Sequence, residues 1–320
     1  MTRLKALDST LYARQLIFDR ELDPVGEELL YRERPAPNRA PSHFDPDRAT
    51  SRVLVNAFMC DPRPTFSTAQ PAFVNFSATT LARELPFPTD RLVVEVLESV
   101  KPDPTVRRRL ERLKQQGFRI ALDDYVRHDA GHPLLDHADI VKLEYPAFKA
   151  VDIRPVVARL RERNPTLIVL VEKLETRRDL ERARAAGSDL FQGYILHRPE
   201  LVYAPKAQVT PADLRRLRAA IAAGDHARLA AQLDHHPALA CYLGRLVAHH
   251  RHAPARRPID ARQIVEIIQP AGLEAMLDII EAARPRQWLG CAAEAMHIGR
   301  EALDAQPAAS RPEAGALAAP

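Results

Sequence analysis

Phe118-Arg-Ile-Ala-Leu-Asp-Asp-Tyr125 is an apolar run that follows Gly117 and ends in two adjacent acids, Asp123 and Asp124. A run of this length with a glycine before it reads as a buried strand. Two carboxylates at the exit of a buried strand repel each other and lose hydration, so they call for a cation between them. Any fold for this chain must therefore bring positive charge to the end of that strand.

The same pattern recurs. Leu92-Val-Val-Glu-Val-Leu-Glu98 carries Glu95 and Glu98, and Phe73-Val-Asn-Phe-Ser77 is apolar around Asn75. Asp139-Ile-Val-Lys-Leu143 buries Lys142, and Leu167–Val171 runs into Glu172. Asp189–Tyr194 presents Gln192, and Gly26–Arg32 carries Glu28 and Arg32. Helical patterns lie between these runs, as at Pro104–Gln116, Pro155–Asn164 and Arg177–Ala186. Strand alternating with helix predicts parallel strands covered by helices. Polar residues at the ends of many consecutive strands distinguish a (β/α)8-like TIM barrel, with its site at the C-terminal rim, from an α/β domain whose strand ends are merely solvated. The strand at 11–18 is expected to lead, through a turn at Asp23-Pro-Val-Gly26, into the strand at 27–32. A helix is expected over Arg48–Met59.

Beyond Arg198-Pro199 the composition turns all-helical. Thr210-Pro-Ala-Asp-Leu214 reads as an N-cap with proline at the first helical position. Helices are expected over Pro211–Ala223, Asp225–Asp234, Pro237–His250, Asp260–Ile268, Leu273–Ala283 and Trp288–Asp304. The expected organisation is a barrel domain over 1–204, a linker over 205–210, a small all-α domain over 211–305 and a disordered tail over 306–320. The stripe Ile264, Ile267, Ile268, Leu273, Met276, Leu277 and Ile280 reads as bundle core.

In a chain of 320 residues, 46% hydrophobic and 28% charged, no apolar run approaches a membrane span. The N-terminus lacks a signal-peptide core, so a cytoplasmic location and no membrane partner are expected. Cys60, Cys241 and Cys291 are isolated and form no metal pair or disulfide framework. The net charge of +4 is spread along the chain. Arg107-Arg-Arg109 reads as a solvated helix face, and no nucleic-acid partner is expected. His128, His132 and His137 read as surface loop histidines.

Glu28-Leu-Leu-Tyr-Arg32, Asn75, Glu95-Val-Leu-Glu98, Asp123-Asp-Tyr125, Val141-Lys142, Glu172-Lys-Leu-Glu175 and Phe191-Gln-Gly-Tyr194 follow the order and spacing of the EAL domain. Residues 11–200 resemble that family of cyclic di-GMP phosphodiesterases. Asp234-His-His-Pro-Ala-Leu-Ala-Cys-Tyr-Leu-Gly-Arg-Leu-Val247 resembles the start of an HDOD domain, a helical module. The resemblance implies an EAL-type barrel with a shortened HDOD-like helical part. It also implies Mg²⁺ or Mn²⁺ held by Glu28, Asn75, Glu95 and Asp123, with Asp124 taking a second ion. Lys142 and Glu172 would position or deprotonate the attacking water, and Gln192 would assist that network. Arg32 would hold a substrate phosphate, and Glu98 and Glu175 would support the ligands from behind. The implied partners are cyclic di-GMP, a signalling protein on the helical domain, and a second copy of the chain in a homodimer.

The chain departs from the family pattern in four places. The loop after the paired aspartates, Tyr125-Val-Arg-His-Asp-Ala-Gly-His-Pro133, lacks the early glycines. Lys173 stands where the family carries glycine, and Leu29 where it carries alanine. The segment after Arg32 is rich in proline. Two functions follow: a degenerate barrel that acts as a cyclic di-GMP receptor or interaction module without cleaving, or a metal-dependent phosphodiesterase that cleaves it slowly to the linear dinucleotide.

Overall fold

The computed structural model describes residues 9–32, 44–60, 70–127, 130–150, 152–205, 209–250, 261–268 and 270–284. These all fall in one compact unit, Met1–Arg284; a second, Pro285–Pro320, lies outside the described residues. The helix expected over Trp288–Asp304, the tail over 306–320, His128 and Cys291 therefore lie outside them as well.

Seven strands run parallel in sequence order: β2 (Pro24–Tyr31), β3 (Ala72–Phe76), β4 (Leu92–Val96), β5 (Arg119–Tyr125), β6 (Ile140–Glu144), β7 (Ile168–Glu172) and β8 (Leu190–Phe191). β1 (Ser9–Phe18) closes the barrel, pairing antiparallel with β2 and touching β8 through Phe18 and Phe191. A ninth strand, β9 (Glu200–Pro205), pairs with the first half of β1. The barrel thus departs from a strict (β/α)8 order at its first strand. The link between β1 and β2 is too short for a crossover, so only antiparallel pairing is open to it. That turn lies at Asp19–Asp23, earlier than expected. Its Asp19 carboxylate accepts from the backbone of Glu21 and Asp23, and Pro24 already starts β2.

Helices cover the outside: α1 (Pro46–Leu54), the one-turn α2 (Ala78–Leu81), α3 (Pro104–Gln115), α4 (Arg154–Arg163) and α5 (Arg177–Ala185). α1 continues as a π-helical turn, Val55–Cys60. Each start is chemically marked. Asp45 and Asp103 cap α1 and α3 ahead of a proline in the first turn, and Thr176 and Asp179 form a capping box for α5. Between β5 and β6 the described chain has only a 3-10 turn, Leu135–His137, where the other long crossovers carry an α-helix. Arg109 corrects one expectation. It is buried, donating Nε to the Leu81 carbonyl at 2.7 Å and pairing with Glu84 at 3.1 Å, so it joins α3 to α2 and is no solvated face.

Five helices follow: α6 (Pro211–Ala222), α7 (His226–Asp234), α8 (Pro237–His250), α9 (Ala261–Ile267) and α10 (Pro270–Ala283). Thr210 and Asp213 form a capping box at the start of α6, with Pro211 at the first position. Ile264, Leu273, Met276, Leu277 and Ile280 are buried, as a bundle core requires. The same helices lie against the barrel. Phe87 sits between Phe58 of the π-turn, 4.9 Å between centroids, and Tyr242 of α8, 6.2 Å away. The Tyr242 hydroxyl donates to the Pro86 carbonyl at 2.7 Å, and Arg245 donates to the Phe58 carbonyl at 3.0 Å. No helix among the described residues is long and apolar enough to cross a membrane.

Phe58 is fully buried at this junction. Phe58→Ala is expected to cost about 3–5 kcal/mol in urea unfolding, with barrel and helical signals lost together. Separate transitions would show that the two parts fold independently.

Candidate metal and ligand site

A strand alternates its side chains between two faces, so residues two apart share one. The barrel interior is filled by Ile17, Phe73, Val93, Ala121, Ile140 and Leu170, with Leu190 packed beside them. Gly26 belongs to the same ring: a Cβ there would lie 3.0 Å from the Phe73 ring, so the absent side chain makes room for the phenyl group. Two residues further along each parallel strand stand Glu28, Asn75, Glu95, Asp123, Lys142, Glu172 and Gln192. On the antiparallel β1 the counterpart is Gln15, paired in register with Glu28. The apolar ring is a floor, and the polar ring lies directly above it.

Lys142 is the hub. Its Nζ lies 2.6 Å from Asp123 Oδ1, 2.9 Å from Glu95 Oε1, 3.1 Å from Glu172 Oε2 and 3.2 Å from Glu28 Oε1. Glu95 and Lys142 are almost wholly buried. Gln192 Nε2 donates to the other Glu28 oxygen at 2.7 Å. One ammonium among four carboxylates leaves excess negative charge in a dry place. Burial pushes Glu95 and Asp123 up despite the lysine, and pushes Glu172 up to about 8. Burial opposes the charge on Lys142, but the surrounding carboxylates outweigh it and hold the ammonium well above its usual range.

Asp124 would face away from Asp123 in a regular strand. The pairing of β5 with β6 instead slips between Leu122 and Tyr125, and Asp124 has φ 44°. This bulge re-aims Asp124 into the same cleft, a role aspartate tolerates in left-handed backbone. Glu98, at the exit of β4, is exposed, and one oxygen each of Glu98, Asp123 and Asp124 lie within 4.8 Å of one another. Asp124 also meets Lys173, whose Nζ is 2.8 Å from Asp124 Oδ1 and 2.9 Å from Glu144 Oε1. Burial works against the Asp124 charge, but hydrogen bonds from Lys173 and Glu172 keep it below the usual carboxylate range.

The cleft above the ring holds about 540 Å³ and is lined by Gln15, Arg32, Asn75, Asp124, Glu175 and Tyr194, among others. Arg32 is buried at its edge and donates to the Tyr31 carbonyl at 2.8 Å. Glu175 is exposed and paired with Lys149 at 3.2 Å. Gly193 follows Gln192, and a Cβ there would stand 2.1 Å from the Leu174 carbonyl oxygen and 2.3 Å from its nitrogen. Only glycine lets β8 lie this close to the exit of β7.

A cation fits this chemistry. Asn75 Oδ1, Glu95 Oε2, Glu172 Oε1 and Gln192 Oε1 are buried without a hydrogen-bond donor. Such oxygens are the donors that hard divalent ions take. Glu28, Asn75, Glu95 and Asp123 lie where they could hold one, with Asp124 beside them. Every residue expected from sequence lies at this rim, with Glu98 and Glu175 on its exposed edge. Sequence reasoning missed Gln15, Glu144 and the pairing of Lys173. The alternation Ala13-Arg-Gln-Leu-Ile17 was the signal for Gln15; nothing local marked the other two.

Removing the hub should expose this charge imbalance. Lys142→Met is expected to destabilise the protein by about 3–5 kcal/mol at a pH alkaline enough to ionise the carboxylates, which are then unpaired. Groups whose folded values are raised stay protonated below those values, so the loss should shrink as pH falls; Lys142 itself lowers the Glu172 value of about 8, so in the variant the shrinkage begins above it. Thermal unfolding across pH checks this; a loss that does not change with pH would refute it.

Residues 55–199 match the EAL domain family. The chain is 34% identical over 213 residues to the cyclic di-GMP phosphodiesterase CdgJ of Vibrio cholerae serotype O1, covering 62% of this chain and 48% of that protein. It is 32% identical over 197 residues to YuxH of Bacillus subtilis (strain 168), covering 59% of this chain and 47% of that one. The chain thus spans about half the length of these curated relatives. Among solved structures, it is similar to BlrP1 of Klebsiella pneumoniae in a manganese and cyclic di-GMP complex, with a TM-score of 0.49, 17% identity, and 64% and 63% of the two chains covered.

Proposed function

We propose that this barrel, whose residues 55–199 match the EAL domain family, binds cyclic di-GMP through a divalent ion, Mg²⁺ or Mn²⁺, and cleaves it slowly in bacterial signalling. The observation that carries this reading is the polar ring: a set of buried oxygen donors gathered around one ammonium at the floor of a cleft with an arginine at its edge.

Glu28, Asn75, Glu95 and Asp123 would hold the ion. When bound, it would neutralise phosphate charge and make water more acidic. The chain's own groups supply the rest. Arg32 at the cleft edge offers a guanidinium to a phosphate. Lys142 stays charged among the carboxylates and orients a water or a phosphate oxygen. Glu172, held up to about 8, exchanges a proton near neutral pH, as a general base must. Gln192 fixes Glu28. Glu98 and Glu175 flank the opening.

We read residues 1–204 as the EAL-type domain, 205–210 as the linker and the helices from 211 as the opening of an HDOD-like module. Their exposed faces would meet a signalling protein or a second copy of the chain. Full phosphodiesterase activity is the second reading, favoured by the complete polar ring and by the Vibrio relative of that name.

Incubating the full chain with cyclic di-GMP and Mn²⁺ or Mg²⁺ separates the two. The expected result is binding that is lost with a chelator, and linear dinucleotide formed below about 1 s⁻¹, the lower edge of ordinary turnover. Asp123→Ala should lose both. Faster turnover would establish the second reading, and absence of metal-dependent binding would refute both.

A further inference from the structure

Lys173 follows Glu172 at the exit of β7, with φ 58°. Left-handed backbone is costly for a side chain as long as lysine and is the ordinary place for glycine. The residue is held there from both sides. Leu174 donates its N–H to the Gln192 carbonyl at 3.1 Å, and Glu172 pairs in register with Glu144 across β6. The strained backbone sends the side chain across the rim to Asp124 and Glu144, 2.8 and 2.9 Å away. Asp124 is one of the three carboxylates, with Asp123 and Glu98, whose oxygens cluster within 4.8 Å.

Two-ion phosphodiester sites place their ions about 3.5–4 Å apart with carboxylates between them. Here Asp123 already faces the buried ring, and Asp124, the natural anchor of a second ion, is satisfied by an ammonium. A dication brought beside a fixed ammonium in a half-buried cleft meets strong repulsion. We infer that the Lys173 ammonium takes the place of a second cation, so that the cleft holds one divalent ion per chain. This rests on the reading that the polar ring binds a divalent ion. An ammonium offers a phosphate oxygen charge and hydrogen bonds but no open coordination position for a leaving oxygen. The arrangement therefore favours holding a phosphodiester over splitting it.

The test counts ions, using Mn²⁺ alone with the full chain, by equilibrium dialysis and by electron paramagnetic resonance of the bound ion. Wild type is expected to bind one Mn²⁺ with the spectrum of an isolated ion. Lys173→Gly, which suits φ 58° and removes the charge, is expected to bind two, with the spectrum of a coupled pair. Lys173→Arg, which keeps the charge, should stay at one. Two ions in wild type would overturn the inference while leaving the metal-binding reading intact. One ion in Lys173→Gly would overturn the inference as well. No Mn²⁺ in either wild type or Lys173→Gly would overturn the underlying reading together with it.

Discussion

The Lys142 ammonium lies within 3.2 Å of carboxylates from four different strands, β2, β4, β5 and β7. Buried carboxylates at this spacing repel one another, and an unpaired one would lose hydration with nothing in return. The lysine makes the cluster tolerable without neutralising it. What remains is an electronegative centre in which Glu95, Asp123 and Glu172 are held above the usual carboxylate range and spare oxygens lack donors. A barrel with this centre is poised for a cation.

The ring can exist only because of what lies beneath it. Phe73, Ile140 and Leu170 seal the barrel below the acids, and Gly26 gives the Phe73 ring its space. Without that floor the acids would be hydrated. The β5 bulge and Gly193 are local exceptions to strand geometry, and each serves the rim. One turns Asp124 inward, and the other lets Gln192 reach Glu28 while its neighbour passes the backbone of Leu174.

The electrostatics divide the cleft in two. On the buried side a single lysine faces four acids, and the balance is negative. On the outer side Lys173 faces Asp124 and Glu144, and the balance is nearer neutral. The same chemical group thus leaves one half of the site short of positive charge and supplies it to the other. That asymmetry separates this cleft from one built symmetrically around two ions.

Much of this was legible in the chain. Apolar runs ending in Asn75, Glu95, Asp123, Lys142, Glu172 and Gln192 give both the strands and their polar ends, because alternation along a strand is local. The caps of α3 and α6 are equally local, since proline and a short polar side chain act on the next turn. The solvated face read from Arg107–Arg109 holds for Arg107 and Arg108 but not for Arg109, because only packing decides that Arg109 turns inward to Leu81 and Glu84. Gln15 entered the ring only through barrel closure, which depends on how the first strand pairs. The residue types and their order therefore came from the sequence. Which charge neutralises which was settled by tertiary structure, because Lys173 meets Asp124 across 49 residues of chain and no local pattern encodes that distance.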